Sequence, residues 1–259
     1  MTNTALITGA SSGIGQEFAR YHAQQGGDVI IVARRNDALL ELKAELETKY
    51  GITATVIAQD IGNPKGASAL YAAVQKLGIK VDILINNAGF GGHGNFIERA
   101  LDDDIAMIDL NVNSLVTLCH LVGNDMVAQG GGKILNVGST AGMMPGPLQA
   151  TYFATKAFVA SFSQAIDHEL RPHGVTCTVL APGYVETEFA KTADLGGTGL
   201  VKQRGKTAAE TAKIGYDAMM RGKLHVVNET MLSFVTNWVI PLMPRRMALN
   251  FVSNMQKKK

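Results

Sequence analysis

The chain has 259 residues, 46% of them hydrophobic, which suits one large α/β domain rather than two small ones. Its 24 basic and 22 acidic side chains leave a formal charge of +2, too balanced to indicate a nucleic-acid partner or a strongly acidic substrate. Cys119 and Cys177 lie far apart in apolar runs and the six histidines show no paired ligand spacing, so the thiols read as small buried hydrophobes and no metal site is expected. From the N-terminus, Met1 is followed within a few residues by an apolar run and a glycine turn, leaving no room for a cleavable leader; with reduced thiols this points to a cytoplasmic setting. Apolar runs at Ala5 to Thr8, Val29 to Ala33, Thr53 to Ala58, Ile83 to Asn86, Lys133 to Val137 and Thr176 to Ala181 read as buried parallel strands, with helical periodicity between them. The alternation predicts βαβ units and a doubly wound parallel sheet in a single domain over 1–259. Breaks at Gly26-Gly27, Gly130-Gly131-Gly132 and Pro172-His173-Gly174 fall where helices should stop and strands begin.

Thr8-Gly9-Ala10-Ser11-Ser12-Gly13-Ile14-Gly15 follows the first strand and opens the first helix, where backbone N–H groups and the helix dipole attract a phosphate. Gly9 permits the tight turn, and Gly13 and Gly15 permit close approach, which predicts dinucleotide binding through Gly9, Ser11, Ser12, Gly13, Ile14 and Gly15. The second strand ends without the carboxylate that would hold an unphosphorylated ribose; Arg34 and Arg35 follow instead and suit a 2′-phosphate, favouring NADP(H). Asp60 and Ile61, after the third strand, are candidates to meet the adenine, although a carboxylate there is also a common helix cap.

Tyr152 and Lys156 stand four apart on one predicted helix, thirteen residues after Ser139. That spacing stacks both side chains on one face, so the Lys156 ammonium is expected close to the phenol, favouring its ionised form. A phenol that ionises easily passes protons near neutral pH.

Beyond Thr187 the pattern weakens into Asp194-Leu195-Gly196-Gly197-Thr198-Gly199, and 187–222 is read as a substrate lid, with a helix beginning near Thr207. From Thr230, Met231, Phe234, Val235, Trp238, Val239 and Leu242 form one apolar stripe, and after Pro244 a second helix places Met247, Phe251 and Met255 on one side before Lys257-Lys258-Lys259. These helices, within 229–256, are expected to cover the core or the site; Pro241 and Pro244 interrupt them too early for a transmembrane span. With Arg245, Arg246 and the lysine tail, a peripheral membrane or dimer contact is the other reading.

Thr8-Gly9-x-x-x-Gly13-x-Gly15, Asn86-Asn87-Ala88-Gly89, Asn111, Ser139, Tyr152-x-x-x-Lys156 and Pro182-Gly183, in this order, resemble the short-chain dehydrogenase/reductase family over nearly the whole chain. The resemblance implies a Rossmann sheet in the order 3-2-1-4-5-6-7 with a C-terminal helical extension, and hydride transfer between nicotinamide and a carbonyl or alcohol carbon. It implies Tyr152 as proton donor, Ser139 fixing the carbonyl oxygen, Lys156 lowering the phenol pKa and bonding the nicotinamide ribose, and Asn111 holding a water that links Lys156 to solvent. On its own, Asn111 reads as a helix-surface amide. The resemblance further sets Asn87, Ala88 and Gly89 against the cofactor, and Pro182, Gly183, Val185 and Thr187 against the nicotinamide. It also implies a homodimer or homotetramer built on the helices carrying Asn111 and Tyr152.

The function expected is that of an NADPH-dependent carbonyl reductase or secondary alcohol dehydrogenase for a small-molecule ketone or alcohol. Met143, Met144, Pro145, Leu148 and Phe153 flank the catalytic positions and point to an apolar substrate. A 3-ketoacyl or hydroxysteroid reductase is the enzyme alternative, suggested by resemblance at Ala33-Arg34-Arg35 and Pro241 to Arg246. A non-catalytic NADPH-binding protein is the alternative from another class.

Overall fold

The computed structural model describes residues 3–199 and 205–258. Met1, Lys259 and the part of the expected lid at 200–204 lie outside the described residues. In chain order the elements are β1 (Thr4–Thr8), α1 (Gly13–Gln24), β2 (Asp28–Ala33), α2 (Asn36–Tyr50), β3 (Ala54–Ala58), α3 (Gly66–Leu77) and β4 (Ile83–Asn86). They continue with α4 (Leu101–Ile108), a π-helical turn at Asp109–Asn113, α5 (Ser114–Ala128), β5 (Gly132–Val137), α6 (Ala150–Leu170) and β6 (Val175–Ala181). The chain then forms α7 (Glu188–Thr192), α8 (Ala208–Met220), β7 (His225–Val227), α9 (Thr230–Phe234) and α10 (Arg245–Gln256). All seven strands are parallel, in the order β3-β2-β1-β4-β5-β6-β7. The sheet order is thus the one implied by the resemblance. Its last strand, three residues long, is too short to show any period in the sequence.

Helices cover both faces, and this explains the unbroken apolar strands. Successive side chains point to opposite faces, so Ile7, Val29, Ile31, Ile85 and Leu180 pack with Phe18, Leu39, Leu42 and Met219 on one side. Leu6, Ile30, Leu84, Ile134 and Cys177 pack with Leu70, Leu118, Val122 and Val159 on the other.

Two expected regions differ from the sequence reading. Within the 187–222 span read as a lid, α8, capped by a reciprocal Thr207–Glu210 box, buries Ala212, Tyr216 and Met219 in the core, so only α7 and the loop to Gly199 stay outside the core among the described residues up to that point. The C-terminal stripe has the helical period but faces outward. Met231, Phe234, Trp238 and Leu242 are exposed, while the inner face of the segment carries Thr236 and Ile240. Periodicity could not choose between the faces because both hold apolar residues, and the buried Thr236 hydroxyl is satisfied within the helix by the Leu232 carbonyl. In α10, likewise, Met247 and Phe251 face out while Ala248, Val252 and Gln256 face in.

The rod Leu101–Ala128, with mean hydropathy 1.5 in its most apolar stretch, has the length and composition of a membrane span. Here it lies along the sheet, with Leu115, Leu118, Val122 and Met126 buried. Helix α6 is tied to the sheet by Asp167, whose carboxylate accepts the Cys177 N–H at 2.8 Å and two-pronged bonds from Arg171. Asp167→Ala orphans that buried amide; it is expected to cost about 2–3 kcal/mol, measured by chemical denaturation.

Candidate active site

The strand order reverses between β1 and β4, and such a reversal opens a crevice at the carboxyl ends of the strands. Two side chains close its floor. The Thr8 hydroxyl accepts from the Asn87 and Ala88 amides at 3.0 and 3.1 Å, while the Asn87 carboxamide donates back to the Thr8 and Gly9 carbonyls at 3.0 and 3.2 Å. Asn87 therefore shapes the glycine turn from behind. Gly9 and Gly13 take positive φ values of +66° and +57°, and a Cβ on Gly15 would lie 2.3 Å from the Gly9 carbonyl oxygen. Ser12 stands at the N-cap position of α1 without a side-chain bond to the helix, and the first amides of α1 have no partner within the helix. The turn thus has the backbone and the donors that a dinucleotide phosphate requires.

Arg34 and Arg35 stand exposed just beyond β2. Arg35 crosses the crevice, bonding the Ser11 hydroxyl and carbonyl at 3.3 Å and pairing with Glu188 at 2.9 Å. Thr187 caps α7 and sits against Gly13, so the start of α7 meets the glycine turn directly. The Asp60 carboxylate accepts from the Gly62 amide at 2.9 Å, a local turn contact, and Ile61 is buried in the core. On the far side, the Gly183 amide is held by Asn228 at 2.9 Å, the Pro182 carbonyl accepts from Ser139 and Thr140, and Val185 is buried.

The catalytic candidates converge beside this crevice. Tyr152 and Lys156 share one face of α6 and are 8% and 6% exposed. The Ser139 hydroxyl caps the 3₁₀ turn Thr140–Met143 and also hydrogen-bonds the phenol, drawing its pKa down. Burial wins, however: Tyr152 is pushed up to about 12 and Lys156 down to about 8. The expectation that Lys156 would favour an ionised phenol is corrected here. Its Nζ donates to the Val137 carbonyl at 2.8 Å and lies 5.9 Å from the Tyr152 ring centre. Helical stacking sets the two side chains on one face without joining their tips.

Asn111 is 2% exposed, which overturns its reading as a surface amide. Its carboxamide brackets Phe90, accepting from the amide at 3.1 Å and donating to the carbonyl at 2.9 Å, and it donates to the Thr155 hydroxyl beside Lys156. The π-helical turn supplies this position, since the inserted residue turns the amide inward. Gly89 lies between Asn111 and Lys156: a Cβ there would stand 2.9 Å from one and 3.6 Å from the other.

An apolar wall surrounds the phenol, formed by Met107, Ala141, Phe153 and Val252 with Phe90, Met144 and Phe189 at its edge. Leu148, in the loop before α6, holds a left-handed φ of +68° while its carbonyl accepts from Gly94. Sequence reasoning missed Glu188, Asn228, Phe189 and Val252. Glu188 was visible only as the residue after a named threonine; the other three reach the site through folding across 37 to 100 positions from Tyr152. Among the described residues no group of three His, Cys, Asp or Glu side chains gathers as metal ligands. Cys119 and Cys177 meet at the Asn136 amide, each 3.5 Å away, and burial raises both thiols far from reactivity.

Comparison with known proteins gives the same lineage. Residues 3–196 match the short chain dehydrogenase family model. Sulfoacetaldehyde reductase 2 of Chromohalobacter salexigens is 35% identical over 82% of this chain and 81% of its own. Human very-long-chain 3-oxoacyl-CoA reductase is 30% identical over 98% of this chain and 79% of its own. The chain spans 55–61% of the length of several further 3-oxoacyl-CoA reductases. A solved short-chain dehydrogenase from Sphingobium yanoikuyae in complex with NADPH superposes with a TM-score of 0.82 at 28% identity, over 94% of this chain and 97% of that one. The chain belongs to the short-chain dehydrogenase/reductase family, as an oxidoreductase acting between CH–OH and C=O with a nicotinamide dinucleotide and a small-molecule substrate.

Burial of Lys156 opposes folding. Below about pH 8 its ammonium is charged in both folded and unfolded chains, and a displacement from 10.5 to about 8 corresponds to about 3 kcal/mol. Lys156→Met is therefore expected to be more stable than wild type at pH 7, by about 1–3 kcal/mol after loss of the Val137 bond. Between about pH 8 and 10.5 the unfolded chain alone keeps the proton, so wild type gains stability and the gap closes; melting curves across that range measure it.

Proposed function

We propose that the chain is an NADPH-dependent carbonyl reductase, reversible as a secondary alcohol dehydrogenase, for a mainly apolar ketone or alcohol. The observation that carries this is the buried Tyr152 phenol, bonded to Ser139 and walled by apolar side chains. Bound along the glycine turn, a reduced nicotinamide supplies the hydride. Ser139 fixes the carbonyl oxygen, and the phenol, held neutral by burial, gives its proton to that oxygen as negative charge develops. Lys156 adds a positive charge within the same dry site, where charge–charge effects are strong. Asn111 positions the Phe90 backbone and, through Thr155, the start of the turn carrying Lys156. Thr187, with Pro182, Gly183 and Val185 behind it, would bracket the nicotinamide end.

Preference for the phosphorylated cofactor is supported by Arg34 and Arg35, by the lack of a carboxylate at the end of β2, and by the NADPH bound in the Sphingobium relative. Glu188 now shares Arg35, and a dianionic 2′-phosphate is the stronger partner for that guanidinium. Main-chain groups around Asp60 and the outer edge of Ile61 remain the adenine candidates. A long-chain 3-oxoacyl substrate is the second reading, favoured by the apolar wall and by the name of the human relative. The intact Ser139, Tyr152 and Lys156 speak against a non-catalytic NADPH-binding protein. Exposed Ile105 and Ile108 on α4 and Phe158 on α6 support pairing of these helices in a homodimer or homotetramer, and buried free thiols support a cytoplasmic setting.

Tyr152→Phe is expected to lower kcat by about 10²- to 10⁴-fold while leaving NADPH affinity unchanged, followed by NADPH consumption with aryl ketones, 3-ketoesters and steroids. Wild-type turnover in a folded variant refutes the assignment. Arg34→Ala/Arg35→Ala is expected to weaken NADPH binding by about 10- to 100-fold and leave NADH binding alone, read by fluorescence titration.

A further inference from the structure

The C-terminal segment has two opposed functions in the fold. Inward, Val252 of α10 joins the apolar wall at Tyr152, the Gln256 side chain accepts from the Gln149 carboxamide, and the Gln256 backbone carbonyl accepts from the His93 ring at 2.7 Å. Leu232 of α9 presses on Gly183, beside the Ser139 turn. Outward, the same segment leaves Met231, Phe234, Trp238 and Leu242 in solvent, 75%, 58%, 66% and 84% exposed, with Met247 and Phe251 beyond them. Phe234 and Trp238 also flank an open groove of about 480 Å³ that runs along the edge strand β7. Monomeric soluble proteins rarely leave so many large apolar side chains together.

Charge identifies what would cover this face. Residues 230–258 contain Arg245, Arg246, Lys257 and Lys258 and not one Asp or Glu. Lys258 is engaged by Asp194, but Arg245 and Arg246 are exposed directly after the apolar stripe. A second exposed apolar group, Phe96, Ile97 and Leu101, has Glu98, Asp102 and Asp103 among it and lacks this complementarity. At 13 residues, Thr230–Leu242 is too short to span a bilayer, which takes about 20. An apolar face with a tryptophan and flanking cations instead suits the plane of an anionic membrane surface.

We propose that Met231, Phe234, Trp238 and Leu242, with Arg245 and Arg246, form a docking face for an anionic lipid bilayer. Seated this way, the protein holds its active-site wall next to the membrane, where apolar carbonyl compounds partition. The docking goes beyond the reductase reading, and its test needs neither cofactor nor turnover, so either can fail alone.

Trp238 is the only tryptophan in the chain and reports the contact directly. With full-length protein and vesicles of phosphatidylglycerol and phosphatidylcholine, its emission should shift to shorter wavelength and the protein should sediment with the vesicles. Phosphatidylcholine alone should bind at least tenfold more weakly. Arg245→Glu/Arg246→Glu and, separately, Met231→Ser/Leu242→Ser should each weaken sedimentation at least tenfold, with melting temperatures unchanged because all four side chains are exposed. No spectral shift with anionic vesicles, or equal binding by both variants and wild type, overturns the proposal. It is equally overturned if Trp238 is already shielded without lipid in a dimer that Met231→Ser/Leu242→Ser dissociates, which would assign the face to a second copy of the chain.

Discussion

The site depends on a small cross-link between two strand ends. Thr8 closes β1 and Asn87 follows β4, at the place where the sheet reverses its order and the chain leaves a crevice. Their mutual hydrogen bonds satisfy backbone groups that neither strand can pair, and they fix the glycine turn on which phosphate recognition rests. Without them, the positive φ angles of Gly9 and Gly13 would be one option among many for a flexible loop. With them, the first amides of α1 are aimed at one point.

A second constraint is dryness. Beneath the crevice, Asn86, Asn136 and Ser163 form a buried chain of side-chain hydrogen bonds, flanked by both cysteines. Above it, the apolar wall excludes water from Tyr152. The two catalytic candidates therefore respond to burial before they respond to each other: each is driven toward its neutral form, the phenol upward and the amine downward. A neutral phenol is the form suited to giving a proton to a developing alkoxide. The serine bond is what moderates it, which makes Ser139 an electrostatic partner of the tyrosine as well as a contact for substrate oxygen.

The C-terminal helices show how one segment can serve the interior and the surface together. Their inner faces hold small or short groups, Ala248, Val252 and Thr236, that let the helices approach the site closely. The bulky residues are left outside. That division is the reverse of an ordinary amphipathic helix on a soluble core, and it sets an apolar, cationic surface beside the chamber where the reaction is proposed to occur.

Much of this was written locally. Apolar runs bounded by glycines fixed six strands, because a strand buried on both faces must be apolar throughout; the glycine turn and the Tyr152–Lys156 spacing were legible because each is a short-range geometric requirement. What local pattern could not hold was decided by packing. The three residues of β7 are a strand only because β6 offers an edge. Asn111 faces inward only because a π turn rotates it, Lys156 points to Val137 rather than to the phenol because that carbonyl is the acceptor within reach, and the C-terminal stripe faces solvent because the narrower opposite face fits the site. Spacing along a helix states which side chains share a face; only the neighbours that fold against it determine where that face points and which charges it meets.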